Sequence, residues 1–153
     1  MKTFETIEDI FDNTEKFHRY AADFYQKLDE ESTNPRTNML LSYVHKHHKA
    51  AVKELKKFTE GTPDSVLKTW VQVTLEKSPE DFFSHLSFHK DMTHEEVGAL
   101  GQQVDGYLVD VYEELSKIAS TEELRTIFQN LMEMEVTRKR RLSQAVNSLL
   151  REM

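Results

Sequence analysis

The segment FHRYAADFYQKL at residues 17–28 is repeated, in register, by VDGYLVDVYEEL at residues 104–115. Four identities align the two segments at an offset of 87 residues: Tyr20 with Tyr107, Asp23 with Asp110, Tyr25 with Tyr112 and Leu28 with Leu115. A weaker pair, LSYVHKHHKA at 41–50 and LMEMEVTRKR at 131–140, is separated by 90 residues. Each half of the chain therefore predicts one long helical hairpin, and two such hairpins can pack as a four-helix bundle.

The first half has the apolar spacing of two helices. Apolar residues recur three and four positions apart from about Thr6 to Glu31, which predicts one amphipathic helix. Pro35 suits the first turn of a second helix, and Gly61 and Pro63 are expected to end it. Because the link between the two helices is short, they are expected to be antiparallel neighbours.

The second half repeats this organisation. Thr93 and Glu96 have the spacing of a capping box and are expected to open the third helix. Ser120 or Thr121 can cap the fourth helix. The second hairpin is therefore also expected to be antiparallel.

A long connection at residues 61–92 joins the two hairpins. The segments SVLKTWVQVTL (65–75) and EDFFSHLSFHK (80–90) are expected to add one or two short helices. Their aromatic and aliphatic side chains need cover, so they either cap the bundle or form a dimer contact. Gly98 and Gly101 allow the third helix to approach a neighbour closely, and this neighbour is either a helix of the same chain or a second copy.

The predicted architecture is all-α: a ferritin-like antiparallel four-helix bundle of two helical hairpins with a long helical crossover. All 153 residues are expected to form one domain, with the first hairpin at about 4–60, the crossover at about 61–92 and the second hairpin at about 93–152. The four glycines and three prolines leave little material for β-turns, which agrees with this expectation.

Composition narrows the classes of function. The chain has no cysteine, so a metal site would have to use histidine and carboxylate ligands. The net charge of −7 argues against nucleic acid and anionic membranes as partners. No apolar run approaches the roughly 20 residues that a membrane span needs, and the acidic start does not resemble a signal peptide. A cytoplasmic protein is the expectation.

Six polar or ionisable residues lie on the apolar faces of the matched segments: His18, His45 and His48 in the first half, and Asp105, Glu135 and Arg138 in the second. His47 lies between two of these histidines, but its angle on the helix turns it away from that face, and we expect it at the surface. Buried polar groups need partners, so the six inward residues are the candidate functional site.

The arrangement of these residues resembles the ferritin and rubrerythrin superfamily. In that superfamily each hairpin supplies one inward Glu from its first helix and a Glu-x-x-His from its second, and these side chains surround two metal ions. By position, His18 and Asp105 take the place of the two first-helix Glu residues. His45 with His48, and Glu135 with Arg138, take the places of the two Glu-x-x-His pairs.

The resemblance implies a transition-metal site of one or two ions, with iron, manganese or zinc as candidates. Its ligands would be His18, His45, His48 and Glu135, with Asp105 as a further ligand or bridge. Redox chemistry or metal handling would then be the expected activity. Arg138 would pair with the carboxylates as an electrostatic partner.

Two other hypotheses remain open. In one, the centre is a metal-free polar layer in which Arg138 pairs with Glu135 and Asp105, and the histidines bond to one another and to Tyr25 or Tyr112. The protein would then be a helical interaction or structural module. In the other, some of these residues turn outward and the pattern is an accident. In every case a homodimer through the crossover or through apolar helix faces is the expected assembly.

Overall fold

The computed structural model of the protein describes residues 2–74, 79–86, 88–89 and 91–151. Residues 75–78, 87 and 90 of the predicted crossover, and residue 152 at the expected end of the second hairpin, lie outside this range. The elements in chain order are β1 (Lys2–Thr6), α1 (Ile7–Glu31), α2 (Pro35–Glu60), α3 (Asp64–Leu67), β2 (Trp70–Thr74), α4 (Pro79–Ser84), α5 (His94–Ile118) and α6 (Glu122–Arg151).

The four long helices form the predicted four-helix bundle. Helices α1 and α2 pack along each other as one hairpin, α5 and α6 pack as the other, and α2 contacts both helices of the second hairpin. The apolar part of the core runs through all four helices, with Phe11, Tyr25, Leu41, Tyr112 and Phe128 among its fully buried side chains. No helix in the described part of the chain is both long and apolar enough to cross a membrane.

Capping residues determine where the first helix of each hairpin begins. Thr6 Oγ1 accepts a hydrogen bond from the Asp9 backbone N–H at 3.1 Å, and Asp9 Oδ2 accepts one from the Thr6 N–H at 3.2 Å. Thr93 and Glu96 form the same reciprocal pair at the start of α5, as the sequence predicts. Each such cap contributes about 1 kcal/mol to helix stability.

The other predicted helix ends are confirmed. Pro35 occupies the first turn of α2 behind an Asn34 cap, and Gly61 caps its C-terminus. At the start of α6, Thr121 Oγ1 accepts a hydrogen bond from the Leu124 N–H at 3.2 Å. Helix boundaries were therefore readable from local chemistry.

The prediction for residues 65–75 was wrong in part. Only Asp64–Leu67 is helical there, and Trp70–Thr74 is a strand that pairs antiparallel with Lys2–Thr6. The strand has period-two burial, because Val73 is buried whereas Trp70 and Gln72 are exposed. Its aromatic and β-branched residues favour an extended chain once a partner strand is available. The partner comes from the N-terminus, far away in sequence.

The crossover covers one side of the first hairpin with aromatic side chains. Phe83 of α4 is buried, and its ring lies 5.2 Å from Phe17 and 4.8 Å from Tyr20, between centroids. Phe82 lies 4.7 Å from Tyr107 of α5. The aromatic residues of α4 therefore pack onto the bundle, whereas Trp70 of β2 stays exposed.

Gly98 and Gly101 bring α5 and α6 of the same chain together. A Cβ atom at Gly98 would lie 2.8 Å from Val146 Cγ2, and one at Gly101 would overlap Leu142 Cδ2. The sequence left open whether this neighbour is a helix of the same chain or a second copy. The structure shows that it is α6 of the same chain.

The two hairpins repeat each other at one offset of 87 residues throughout. The capping boxes at Thr6 and Thr93 have this offset, and so do the buried positions of α2 and α6. At this offset His48 corresponds to Glu135 and Ala51 to Arg138. The predicted 90-residue offset for the second helices was therefore wrong, because it aligned basic residues of the two helices instead of their buried positions.

Candidate polar centre of the bundle

Five of the six predicted site residues meet in the core, and each long helix contributes at least one. The exposed fractions are 0% for His18 on α1, 1% for His48 on α2, 3% for Asp105 on α5, and 1% and 4% for Glu135 and Arg138 on α6. The outward-turning hypothesis is therefore wrong for these five. Their side chains meet because each takes a core position of its helix.

These residues form a linear chain of contacts. His18 Nδ1 lies 2.8 Å from His48 Nδ1, and His18 Nε2 lies 2.9 Å from Glu135 Oε1. His48 Nε2 lies 3.7 Å from Asp105 Oδ1, which is longer than a hydrogen bond. Arg138 Nη1 donates to Glu135 Oε1 at 2.9 Å, so this oxygen receives both a guanidinium and an imidazole.

The chain continues to the surface through a residue that sequence reasoning missed. Arg138 Nη2 donates to Glu54 Oε2 of α2 at 2.6 Å, and the Glu54 side chain is 55% exposed. The predicted second partner of Arg138 was Asp105, and that pairing is not among the ion pairs of the described residues. Glu54 gave no sequence signal, because an isolated acid on the polar face of a helix is ordinary.

The surroundings of the buried groups shift their pKa values. Burial raises the pKa of Asp105 from 3.8 to about 7, and the nearby Glu135 charge adds to this. Burial, and then His18, lowers the pKa of His48 well below 6.5. Burial alone would raise the pKa of Glu135, but His18 and Arg138 outweigh it and hold this pKa below its ordinary value.

One assignment of protons gives a donor and an acceptor to each of the two short contacts of this chain. The His18 Nε2–H donates to ionised Glu135, one proton lies between His18 Nδ1 and His48 Nδ1, and Asp105, protonated below neutral pH, faces His48 Nε2. Glu135 is thus ionised beside the Arg138 guanidinium, inside the core.

His45 lies beside this chain instead of within it. Its side chain is half-buried, and its Nδ1–H donates to the Ala22 carbonyl oxygen at 2.9 Å. The predicted place of His45 at the centre was wrong because, at the offset of 87 residues, His48 and not His45 corresponds to Glu135.

The two repeat-related tyrosines are buried next to the centre. Tyr25 stacks on His48 with ring centroids 5.6 Å apart and an interplanar angle of 12°. The Tyr25 hydroxyl and Glu135 Oε2 are buried and have no hydrogen-bond partner among the described residues. The predicted hydrogen bonds from the histidines to the tyrosine hydroxyls do not form, because each imidazole bonds along the chain.

A metal ion would need donor atoms that converge on one point. His18 instead directs its two ring nitrogens at two different residues, and Arg138 occupies Glu135 Oε1. Across residues 2–74, 79–86, 88–89 and 91–151, no group of three or more His, Cys, Asp or Glu side chains is arranged to hold a metal. As arranged, these donor atoms bond to one another along the chain.

A cleft of about 500 Å³ opens where the polar chain reaches the surface, between α2 and α6. Its lining is His47, Ala50, Glu54, Asn130, Glu133, Met134, Thr137, Arg138 and Arg141. His47, predicted at the surface, is half-buried in this wall, and its Nε2 has no hydrogen-bond partner among the described residues.

Comparisons with known protein families, with curated proteins and with solved structures give no match to this chain. The bundle and its polar chain are therefore the observations from which a function can be argued.

Proposed function

We propose that this protein is a ferritin-like helical scaffold whose centre is neutralised by Arg138 in place of metal ions. In this proposal the bundle acts as an interaction or structural module, with a second copy of the chain as its expected partner. The observation that supports it is the contact of Arg138 Nη1 with Glu135 Oε1 at 2.9 Å, inside the core.

The physical argument rests on charge. An unpaired buried carboxylate is strongly unfavourable, and a bound cation or a paired guanidinium can each relieve it. At the offset of 87 residues the two Glu-x-x-His positions of the superfamily pattern become His48 with Ala51 and Glu135 with Arg138. One metal-binding histidine is thus replaced by alanine and the other by a permanent cation.

The second candidate function is binding of a transition-metal ion, with oxidoreductase or metal-handling activity. His18, His48 and Glu135 would be ligands, and Asp105 a ligand or bridge. Two imidazoles and two carboxylates are a donor set that suits iron, manganese or zinc. The observation that favours this candidate is that two buried oxygens, Glu135 Oε2 and the Tyr25 hydroxyl, have no hydrogen-bond partner among the described residues.

Elemental analysis after anaerobic loading with Fe(II), Mn(II) and Zn(II) separates the two candidates. We expect the wild-type protein to retain no stoichiometric ion and its melting temperature to be unchanged by a chelator. Arg138→His, which restores a ligand in Glu-x-x-His spacing, should gain a bound ion. The control is Arg140→His, the same change at an exposed position of α6, which should gain none.

A stoichiometric ion in the wild-type protein, lost on His48→Ala, would overturn the scaffold proposal and establish the metal-binding candidate. Retention of that ion in both His48→Ala and Glu135→Gln would place it outside the bundle centre and overturn both candidates.

A further inference from the structure

The cleft between α2 and α6 has the features of a binding site, and neither candidate function assigns it a ligand. Its walls combine two guanidiniums and an imidazole with two carboxylates and two apolar side chains: Arg138, Arg141, His47, Glu54, Glu133, Ala50 and Met134. Its volume of about 500 Å³ is within the range of small-molecule pockets.

Glu54 shows what Arg138 binds at the floor of this cleft. The Arg138 side chain is almost fully buried, yet its Nη2 reaches out to an exposed carboxylate at 2.6 Å. Glu54 is held at one end only and is 55% exposed, so a carboxylate from solution can take its place without opening the core. The planar guanidinium suits that exchange, because two carboxylates present the same fork of oxygens.

Arg141 can hold a second carboxylate oxygen, and the His47 imidazole also lines the cleft. Arg141 is exposed at the cleft and forms no ion pair with any described residue, in contrast to Arg138. His47 Nε2 is buried and has no partner there. Burial, then Arg138 and Arg141, lower the pKa of His47, so this imidazole is neutral at neutral pH and can donate one hydrogen bond.

From these contacts we propose that the α2–α6 cleft binds a small aliphatic carboxylate. The ligand's carboxylate displaces Glu54 from Arg138 and contacts Arg141, and its short apolar chain lies against Ala50 and Met134. The proposal rests on the Arg138–Glu54 contact and on the lining of the cleft, and it does not depend on whether the centre of the bundle holds metal.

Isothermal titration of the full chain with hexanoate tests this site, with hexanamide as the uncharged ligand of matched shape. We expect hexanoate to bind at least tenfold more tightly than hexanamide. Glu54→Gln should tighten hexanoate binding several-fold, because it removes the competing internal carboxylate. Arg141→Gln should weaken binding several-fold. Arg140→Gln, the same change at an exposed α6 position outside the cleft lining, should leave it unchanged.

Several results would overturn the proposal. Equal binding of hexanoate and hexanamide would mean that no carboxylate is recognised. Equal weakening by Arg140→Gln and Arg141→Gln would reduce the effect to general charge. Unchanged or weaker binding in Glu54→Gln would show that Glu54 does not compete. Tighter binding of orthophosphate than of hexanoate would assign the cleft to a different class of anion. None of these results depends on the metal analysis.

Discussion

Asp105 is a buried carboxyl whose contact with His48 is too long for a hydrogen bond, so burial is the main influence on its pKa. The pKa of Asp105 is about 7 in the folded protein and near 3.8 in the unfolded chain. At a pH between these two values, the folded protein therefore holds a proton on Asp105 that the unfolded chain has released. The free energy of unfolding therefore falls as pH rises between these two values. A neutral residue at this position removes that dependence.

We expect Asp105→Asn to gain stability relative to the wild type as pH rises from about 4 to about 7. The gain should be on the order of 3 kcal/mol across this window, since one pKa unit corresponds to about 1.4 kcal/mol. Urea denaturation over a pH series measures it. Asp110→Asn, an exposed change on the same helix, is the control and should give a flat difference. A flat difference for Asp105→Asn as well would contradict the raised pKa.

At the same scale, the sequence predicted which residues lie at the centre better than it predicted their partners. His18, His48, Glu135 and Arg138 were identified because they are polar residues at positions where the helical period places apolar ones, and this period decides which residues are buried. The partners depend on side-chain reach across helices: Arg138 pairs with Glu54 of α2 instead of the predicted Asp105. No spacing rule within one helix contains that information.

Among the elements, α5 shows how a residue without a side chain sets helix packing. Gly101 faces Leu142 of α6, which is itself buried, so an added methyl group meets a neighbour with little room to move. Gly106 on the same helix has only Lys139 Nζ nearby, at 3.6 Å. Substitutions at these two glycines therefore separate the effect of packing on stability from the effect of helix propensity.

We expect Gly101→Ala to lower the free energy of unfolding by about 1 kcal/mol, since overpacking outweighs the gain in helix propensity. Gly106→Ala should raise it by up to about 1 kcal/mol, because only the propensity term applies. Chemical denaturation of both variants measures the contrast. Similar stabilisation by both changes would mean that Leu142 moves aside at little cost and that Gly101 is not required for close packing.

Elements that end on local signals were predicted well, and elements that depend on distant partners were not. The capping box at Thr93 was recognised from its Glu96. The equivalent box at Thr6 uses Asp9, a residue outside the usual Glu or Gln pattern, and it would have given the offset of 87 residues directly. Strand β2 was missed because a five-residue strand is stabilised only by pairing with β1.

The four-helix bundle consists of two copies of one hairpin, yet the two copies differ at the polar centre. Core positions such as Tyr25 and Tyr112 are identical, whereas in the repeat His18 corresponds to Asp105 and His48 to Glu135. Replacing two carboxylates of one half by imidazoles lets opposite halves bond to each other, as His18 does with Glu135. The asymmetry therefore joins the two hairpins through the core.

Assembly is the remaining property at this scale, and the small sheet is where we expect it. Strand register places Phe4 and Trp70 on the same face, since Thr6 pairs with Trp70 and Phe4 with Gln72. Their side chains are 69% and 65% exposed, the largest exposed fractions among the large hydrophobic residues that the structure describes. A second copy would bury the same aromatic face against itself, as an isologous dimer does.

We expect the wild-type chain to sediment as a dimer at micromolar concentration, and Trp70→Ser combined with Phe4→Ser to sediment as a monomer. Burial of two aromatic rings per chain is the physical reason, because aromatic residues contribute much of the energy of protein interfaces. The matched control is Met39→Ser, which removes an apolar side chain that is 60% exposed on α2, away from the sheet. A monomeric wild type would remove the dimer from the proposed function. A dimer that persists in the double variant but dissociates in Met39→Ser would place the interface on the helix face instead of the sheet.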